Sequence, residues 1–363
     1  MFTAPDYTGG SLLNLVAELE HRLTGEAPHP GLHPDLAASI PNAASYVLIL
    51  FDGLGDGQLD HPAAEPFRTN RAGALDAPFP TTTTVSLATV ATGRSPAEHG
   101  LLAYQLWLPE TGVVVNTIKW TSLWGEPFVW DHRSFLPQPN LWERLRAHGV
   151  EAITVQPHNF EQTPLSTSLY RGARFEGYSD EHDAVHATVQ LAAEPSRLVF
   201  LYVPHVDFAA HTVGQQHESY DDAMQIASRM WERVALSLPP NTVAVGTADH
   251  GHVDIAHADQ FELTKAHHED REFGGDARAL FVWGDRQGLP DLPADWVSRT
   301  EMEHWWGPGT RHPEFDNRAP DGVFMAHDGR SVLHRHADDR LIGHHGGLTE
   351  AERRIPLLIA SRS

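Results

Sequence analysis

Three features of the sequence predict an α/β fold with a mostly parallel central sheet. Continuous apolar runs of strand length recur along the chain. Stretches with apolar residues at helical spacing lie between them, and that alternation is the mark of parallel strands joined by helices. Acidic residues stand just after several of the runs, where open α/β sheets place their ligand sites.

The first element is a helix over residues 11–23, SLLNLVAELEHRL. It sets Leu12, Leu15, Val16, Leu19 and Leu23 on one face, with Ser11 as the cap and Gly25 as the stop. Residues 46–51, YVLILF, are apolar at every position, as a strand buried on both faces must be. Runs of the same kind predict strands at 152–155, 198–203, 242–245, 279–283 and 355–359. Helices are predicted at 141–148, between Asn140 and Gly149, and over 218–238. Another opens after the threonine run in PTTTTVSLATVATG, where Val85, Leu87, Ala88, Val90 and Ala91 take up helical spacing. Two stretches break the rhythm. Residues 104–137 hold Trp107, Trp120, Trp124 and Trp130 in ribbon-like surroundings, and residues 253–340 carry Trp305 and Trp306 within a segment rich in Pro, Gly, Asp and Arg. Both read as insertions over one rim of a single domain spanning 1–363. Their aromatic residues either line a substrate mouth or pack beneath loops.

Composition bounds the function. The chain has 363 residues, 41% hydrophobic, enough for a sizeable core. Its net charge of −22 repels nucleic-acid backbones and anionic lipid. No run of about 18 apolar residues exists to span a membrane. The opening MFTAPDYTGG has no basic or apolar signal segment, so the expected location is the cytoplasm. The absence of Cys removes disulfides, thiolate nucleophiles and iron–sulfur clusters. Histidine is unusually frequent, 25 copies against 26 Lys plus Arg, so a metal site here is built from imidazole and carboxylate.

The chemistry-bearing residues gather at predicted strand ends. Asp52 follows YVLILF, Asp207 follows LVFLYVPH and Asp249 follows TVAVGTA. His211 lies four residues after Asp207, His250 directly follows Asp249, and His344 and His345 sit in the turn GHHGG. Three Asp and three His suffice for two metal ions with mixed oxygen and nitrogen donors. Each pair alone is equally well explained by a cap or a hydrogen-bonded loop. The threonine run also has two readings. At a helix N-terminus a hydroxyl is a cap, or, beside metal ligands, a nucleophile. The run DGLGDG, with Asp56, is explained by a tight turn, and His267, His268, His334 and His336 read as solvated loop residues.

In order, these motifs are strand–Asp–Gly, Pro-x-x-Thr, Thr-Gly-x-x-Pro-x-x-His-Gly, Asp-x-x-x-His, Asp-His-Gly and His-Gly. The sequence resembles the alkaline phosphatase superfamily, and within it the type I phosphodiesterase/nucleotide pyrophosphatase family. The resemblance runs from about residue 46 to 359 and implies a three-layer αβα sandwich. It implies two zinc ions, with Mn²⁺ or Fe as alternatives: one on Asp207, His211 and His345, the other on Asp52, Asp249, His250 and Thr83. Thr83 is implied as the nucleophile, since it lies ten residues before Gly93. His345 is chosen over His344 because Gly346 follows it directly. Tyr202 matches a stacking tyrosine. After Thr83 the family often has aromatic–Pro–Asn, whereas this chain has Thr84, Val85 and Ser86, which leaves Ser86 as the candidate holder of a phosphate oxygen.

The activity implied is cleavage of phosphodiester or pyrophosphate bonds in a small substrate through a covalent threonine intermediate. A phosphomonoesterase of this superfamily needs an added positive group that the sequence does not place. A phosphonoacetate-type hydrolase shares the same metal ligands. A sulfatase is disfavoured because its Cys/Ser-x-Pro-x-Arg signature is missing. A non-catalytic cation-binding protein is the alternative of a different class, and it has no need of Thr83.

Overall fold

The fold is taken from a computed structural model that describes residues 2–127 and 131–362. Trp130 lies outside the described residues.

The main sheet has seven strands: β1 (Ser45–Phe51), β2 (Arg71–Asp76), β3 (Glu151–Pro157), β4 (Arg174–Tyr178), β5 (Arg197–Val203), β6 (Thr242–Thr247) and β7 (Arg354–Ser361). Their order across the sheet is β2-β7-β6-β1-β5-β3-β4. The five strands from β6 to β4 run parallel, and β7 runs antiparallel to both of its neighbours. β1 lies at the centre and is buried at every position, which is why its sequence shows no alternation. Edge strands β2 and β4, RAGALD and RFEGY, are partly exposed and too polar to stand out in the sequence.

Helices α1 (Leu12–Thr24), α2 (Thr83–Thr92) and α3 (Leu141–Ala147) pack on one another. A second group packs together: α4 (Glu181–Leu191), α5 (His205–Val213) and α6 (Glu218–Ser237). The sheet is thus flanked by helices, as expected of an αβα sandwich. Ser11 caps α1 in a reciprocal box with Asn14, and Gly25 ends it at φ 84°. Helix α2 is buried nearly throughout despite its threonines. Thr89 and Thr92 donate to the carbonyl oxygens of Val85 and Ala88 at 3.1 and 2.6 Å, so no hydroxyl there is stranded.

The two irregular stretches differ most from expectation. They meet in a second seven-stranded sheet, assembled from Gln105–Leu108, Val113–Asn116 and Thr121–Ser122 with Glu272–Asp276, Ala279–Trp283, Ala294–Ser298 and Gly322–Ala326. All its pairings are antiparallel, and Gly275 opposite Gln105 joins the two halves. The apolar run 279–283 therefore belongs to this antiparallel sheet and not to the parallel one. Burial on both faces is visible in a sequence, but strand direction is not. Leu263, Phe273, Leu280, Val282, Phe324 and Val332 form a small core of their own beside the main one. Trp120, Trp305 and Trp306 are buried, whereas Trp124 is exposed.

No helix among the described residues is long and apolar enough to cross a membrane.

Candidate functional site

The carboxyl ends of β1, β5 and β6 carry Asp52, Asp207 and Asp249 to one place. Asp52 follows β1 directly. Asp207 sits in the first turn of α5, and His211 lies one helical turn later on the same face. Asp249 and His250 follow β6 after one residue. His345 arrives from the turn that opens with Gly343–His344.

Side-chain donor atoms converge in three overlapping groups: Asp207, His211 and His345; Asp52, Asp249 and His250; and Asp207, His250 and His252. Within each, the donor atoms lie within 4.8 Å of one another. Three histidines have one ring nitrogen tied to a backbone carbonyl. His211 Nδ1 meets Gly343 O at 2.7 Å, His250 Nδ1 meets Gly251 O at 3.1 Å, and His345 Nδ1 meets Thr81 O at 2.9 Å. A nitrogen facing a carbonyl must carry the proton, so each Nε2 keeps its lone pair. That tautomer is the one metal-ligating imidazoles adopt. Burial, reinforced by His250, His211 and His252, holds the His345 ring well below the usual imidazole range, which keeps it neutral.

The carboxylates are crowded in turn. Burial and the nearby Asp207 and Asp249 push the Asp52 carboxyl well up. Asp249 Oδ1 accepts the N–H groups of Gly53 and His250, each at 3.0 Å, while its Oδ2 is buried without a hydrogen-bond donor, with His250 Nε2 3.6 Å away. A buried acceptor without a donor is costly, and a cation satisfies it. The donor set therefore fits divalent metal.

Each of the four threonines in the run does something different. Thr81 accepts the Gly346 N–H and donates to Gly347 O, which fixes the loop that carries His345. Thr82 holds the N-cap position of α2, yet its hydroxyl donates to Asp276 Oδ1 at 3.2 Å. Thr83 Oγ1 lies 3.2 Å from His250 Nε2 and 3.5 Å from Asp52 Oδ1. Thr84 turns inward and accepts from Thr117. The structure thus brings Thr83 to the Asp52–Asp249–His250 group.

Ser86 and Tyr202 are placed elsewhere than expected. Ser86 is fully buried, and its hydroxyl donates to the carbonyl oxygen of Asp249 at 2.8 Å. It steadies the Asp249 turn and does not face the cleft. The Tyr202 hydroxyl donates to Asp52 Oδ2, and the ring is buried beside Phe160. Of the two adjacent histidines, His345 joins the donor group, while His344 faces Gln260.

Two residues of the site were not singled out from the sequence. His252 is the last residue of ADHGH, and its Nε2 donates to Asp207 Oδ1 at 2.8 Å. Gly53 leaves room for it. Gly53 has φ 74°, and a Cβ there would come within 2.8 Å of His252 Nε2 and 2.9 Å of Asp207 Cα. The Asp-Gly pair after β1 could have drawn attention to this close approach. Asp276 comes from the second sheet. Burial outweighs its bond from Thr82 and lifts its carboxyl to about 8, so at neutral pH it adds little negative charge.

Above the site lies a cleft of about 460 Å³. Thr82, Thr83, Asp207, His211 and His345 form part of its wall. The second sheet and its loops supply Tyr104, Asn116, Lys119, Asp276, His334 and His336. His334 is therefore no solvated loop residue: it is buried and bonded to Gln105 Oε1.

Comparison with known proteins bears on the family and the fold. Residues 46–348 match the family model described as type I phosphodiesterase / nucleotide pyrophosphatase. Among solved structures, murine ectonucleotide pyrophosphatase/phosphodiesterase 5 superposes with a TM-score of 0.67 at 18% identity, over 88% of each chain. Its human counterpart gives 0.62 at 16%, over 87% of each. Phosphonoacetate hydrolase from Sinorhizobium meliloti gives 0.62 at 17%, over 88% of this chain and 90% of that one. At these identities the likeness is one of fold. No curated protein matches the sequence significantly.

Proposed function

Since the chain belongs to the type I phosphodiesterase/nucleotide pyrophosphatase family, we propose that it is a dizinc hydrolase cleaving phosphodiester or pyrophosphate bonds through a phosphothreonine at Thr83. The observation that carries this reading is the position of Thr83 Oγ1, which lies 3.2 Å from His250 Nε2 in the wall of a cleft. A threonine that merely capped the helix would have no reason to sit among metal-type donors.

Asp207, His211 and His345 would hold one ion, and Asp52, Asp249, His250 and Thr83 the other. The mixture of carboxylate oxygen and imidazole nitrogen suits Zn²⁺, with Mn²⁺ or Fe decided by metal analysis. When bound, such ions acidify hydroxyl groups and offset charge on phosphoryl oxygens. Thr83 Oγ1, its proton passing to solvent, attacks phosphorus in line, and the bond from phosphorus to the leaving-group oxygen breaks on the opposite side. Water then attacks the phosphothreonine and releases the second product. The first N–H groups of α2 have no helical acceptor and face the developing negative charge. Tyr202 and the Gly53 and His250 N–H groups fix Asp52 and Asp249, and Ser86 steadies the Asp249 turn.

The test compares bis-p-nitrophenyl phosphate, p-nitrophenyl phosphate and phosphonoacetate on zinc-loaded protein, wild type beside Thr83→Ala. Preference for the diester, lost in the variant, supports the proposal. A carbon–phosphorus hydrolase is the second reading, favoured because Thr84 and Ser86 are turned inward where a nucleotide clamp would stand. Turnover of phosphonoacetate alone would replace the first reading by the second. Two bound metals with no turnover of any of the three would make this a cation-binding protein.

A further inference from the structure

Four histidines gather at the site, and the reaction uses three. The fourth, His252, is buried among the others. Its ring centroid lies 4.8 Å from that of His211 and 5.3 Å from those of His250 and His345. Its backbone is anchored as well. The His252 carbonyl oxygen accepts from Gln58 Nε2 at 3.1 Å and from Gln215 Nε2 at 3.3 Å. Gln215 is held in turn by Asp254 Oδ2, which accepts its N–H at 2.7 Å. Asp207, His250 and His252 make up one of the three donor groups, so His252 is either a metal ligand or the support of one.

Two observations decide between these roles. The first is distance. Two donors on one tetrahedral zinc ion, each about 2.0–2.1 Å from it, stand about 3.3 Å apart. His211 Nε2 lies 3.3 Å from Asp207 Oδ1, and His250 Nε2 lies 3.6 Å from both Asp52 Oδ1 and Asp249 Oδ2. His252 Nε2 lies only 2.8 Å from Asp207 Oδ1, which is the spacing of an N–H···O hydrogen bond. The second is the tautomer. His211, His250 and His345 each have Nδ1 on a backbone carbonyl, which leaves Nε2 free. His252 Nδ1 is buried with no partner, so the Asp207 carboxylate alone fixes the ring proton and draws it to Nε2. A nitrogen that carries a proton has no lone pair for a metal. Resting on the dimetal reading above, we propose that His252 is a positioning residue, not a ligand, and that its Nε2–H holds the Asp207 carboxylate in register with His211 and His345. Each of the three carboxylates then has a donor of its own: Tyr202 for Asp52, the Gly53 N–H for Asp249 and His252 for Asp207. The effect of His252 is confined to the first ion.

The test reads metal binding without turnover. Metal-free protein is titrated with zinc by calorimetry, and cobalt(II) absorption reports the donor set. His252→Leu should weaken one of the two sites about 10–100-fold, the usual cost of losing a ligand's outer support. It should be the site that His211→Ala abolishes, and the other should keep its affinity. His252→Gln, whose side-chain N–H can take the place of Nε2–H, should restore most of the loss. The cobalt spectra of both variants should keep the wild-type intensity, because no ligand is lost. Should His252→Leu fail to fold, His252→Gln against His252→Asn, whose amide falls short of Asp207, makes the same comparison. Equal weakening of both sites makes His252 a packing residue and overturns the proposal. A changed cobalt band with no rescue by His252→Gln makes it a ligand and overturns the proposal too. Unchanged zinc affinity in His252→Leu overturns this proposal alone, whereas wild-type protein that binds no zinc overturns it together with the dimetal reading.

Discussion

Thr83 separates chemistry from structure, because its hydroxyl supports no packing. Thr83→Ala is expected to lower turnover of bis-p-nitrophenyl phosphate at least about a thousandfold, as loss of a nucleophile does. The thermal midpoint of the same variant should move by no more than a few degrees. Gly53→Ala should do the opposite kind of damage. A Cβ in left-handed backbone costs about 1–2 kcal/mol, and here it also meets His252 and Asp207. Both the melting temperature and the zinc content of that variant should fall. The sequence makes the donor residues legible because they stand in short motifs at strand ends. His252 is less legible, since its partner Asp207 lies 45 residues away. Ser86 misleads for a related reason. Its place in the motif is visible in the sequence, but the direction of its hydroxyl is set by the Asp249 turn packed against it.

Between elements, a buried ion pair ties the second sheet to the loop that delivers His345. Arg278 donates from Nε and Nη2 to the two oxygens of Glu352, each at 3.3 Å, and from Nη1 to His327 O at 2.7 Å. Glu352 also accepts the Gly347 N–H at 2.9 Å and the Thr349 hydroxyl at 2.5 Å. Both ionic side chains are essentially fully buried. Removing one partner leaves a buried charge unpaired, at a cost of about 3–5 kcal/mol. Arg278→Ala should show that loss in urea unfolding, and zinc affinity should drop with it because the 345–352 turn loosens. The double change Arg278→Met with Glu352→Met should recover only part, since Gly347 and Thr349 then lack an acceptor. The central strands and the longer helices are legible from periodicity. The second sheet is not, because its strands come from segments about 150 residues apart. Local pattern carries no record of that pairing.

Across the whole molecule, charge makes metal and pH act together. Asp276 and Asp52 both have carboxyls raised by burial, Asp276 to about 8. A carboxyl raised in the folded state contributes stability that is full below its unfolded value near 4 and fades as pH climbs through the folded value. Buried His99, His252, His334 and His345, which burial holds below the usual imidazole range, act in the opposite sense and add stability as pH rises to about 6.5. The chelated protein should therefore gain thermal stability up to about pH 6.5 and lose it above, as Asp276 ionises towards about pH 8. Zinc bound as proposed would need these carboxylates ionised, so adding it should restore stability most at the alkaline end. Scanning calorimetry of chelated and zinc-loaded samples checks this: two parallel curves would remove the coupling. A further consequence concerns time. Strand β7 lies between β2 and β6, although nearly three hundred residues separate it from β2 in the chain. On the ribosome, β2 and one edge of β6 must wait, unpaired, until residues 354–361 have emerged. His345 emerges just ahead of them, so the nascent chain closes its sheet and completes its set of donors in one late step.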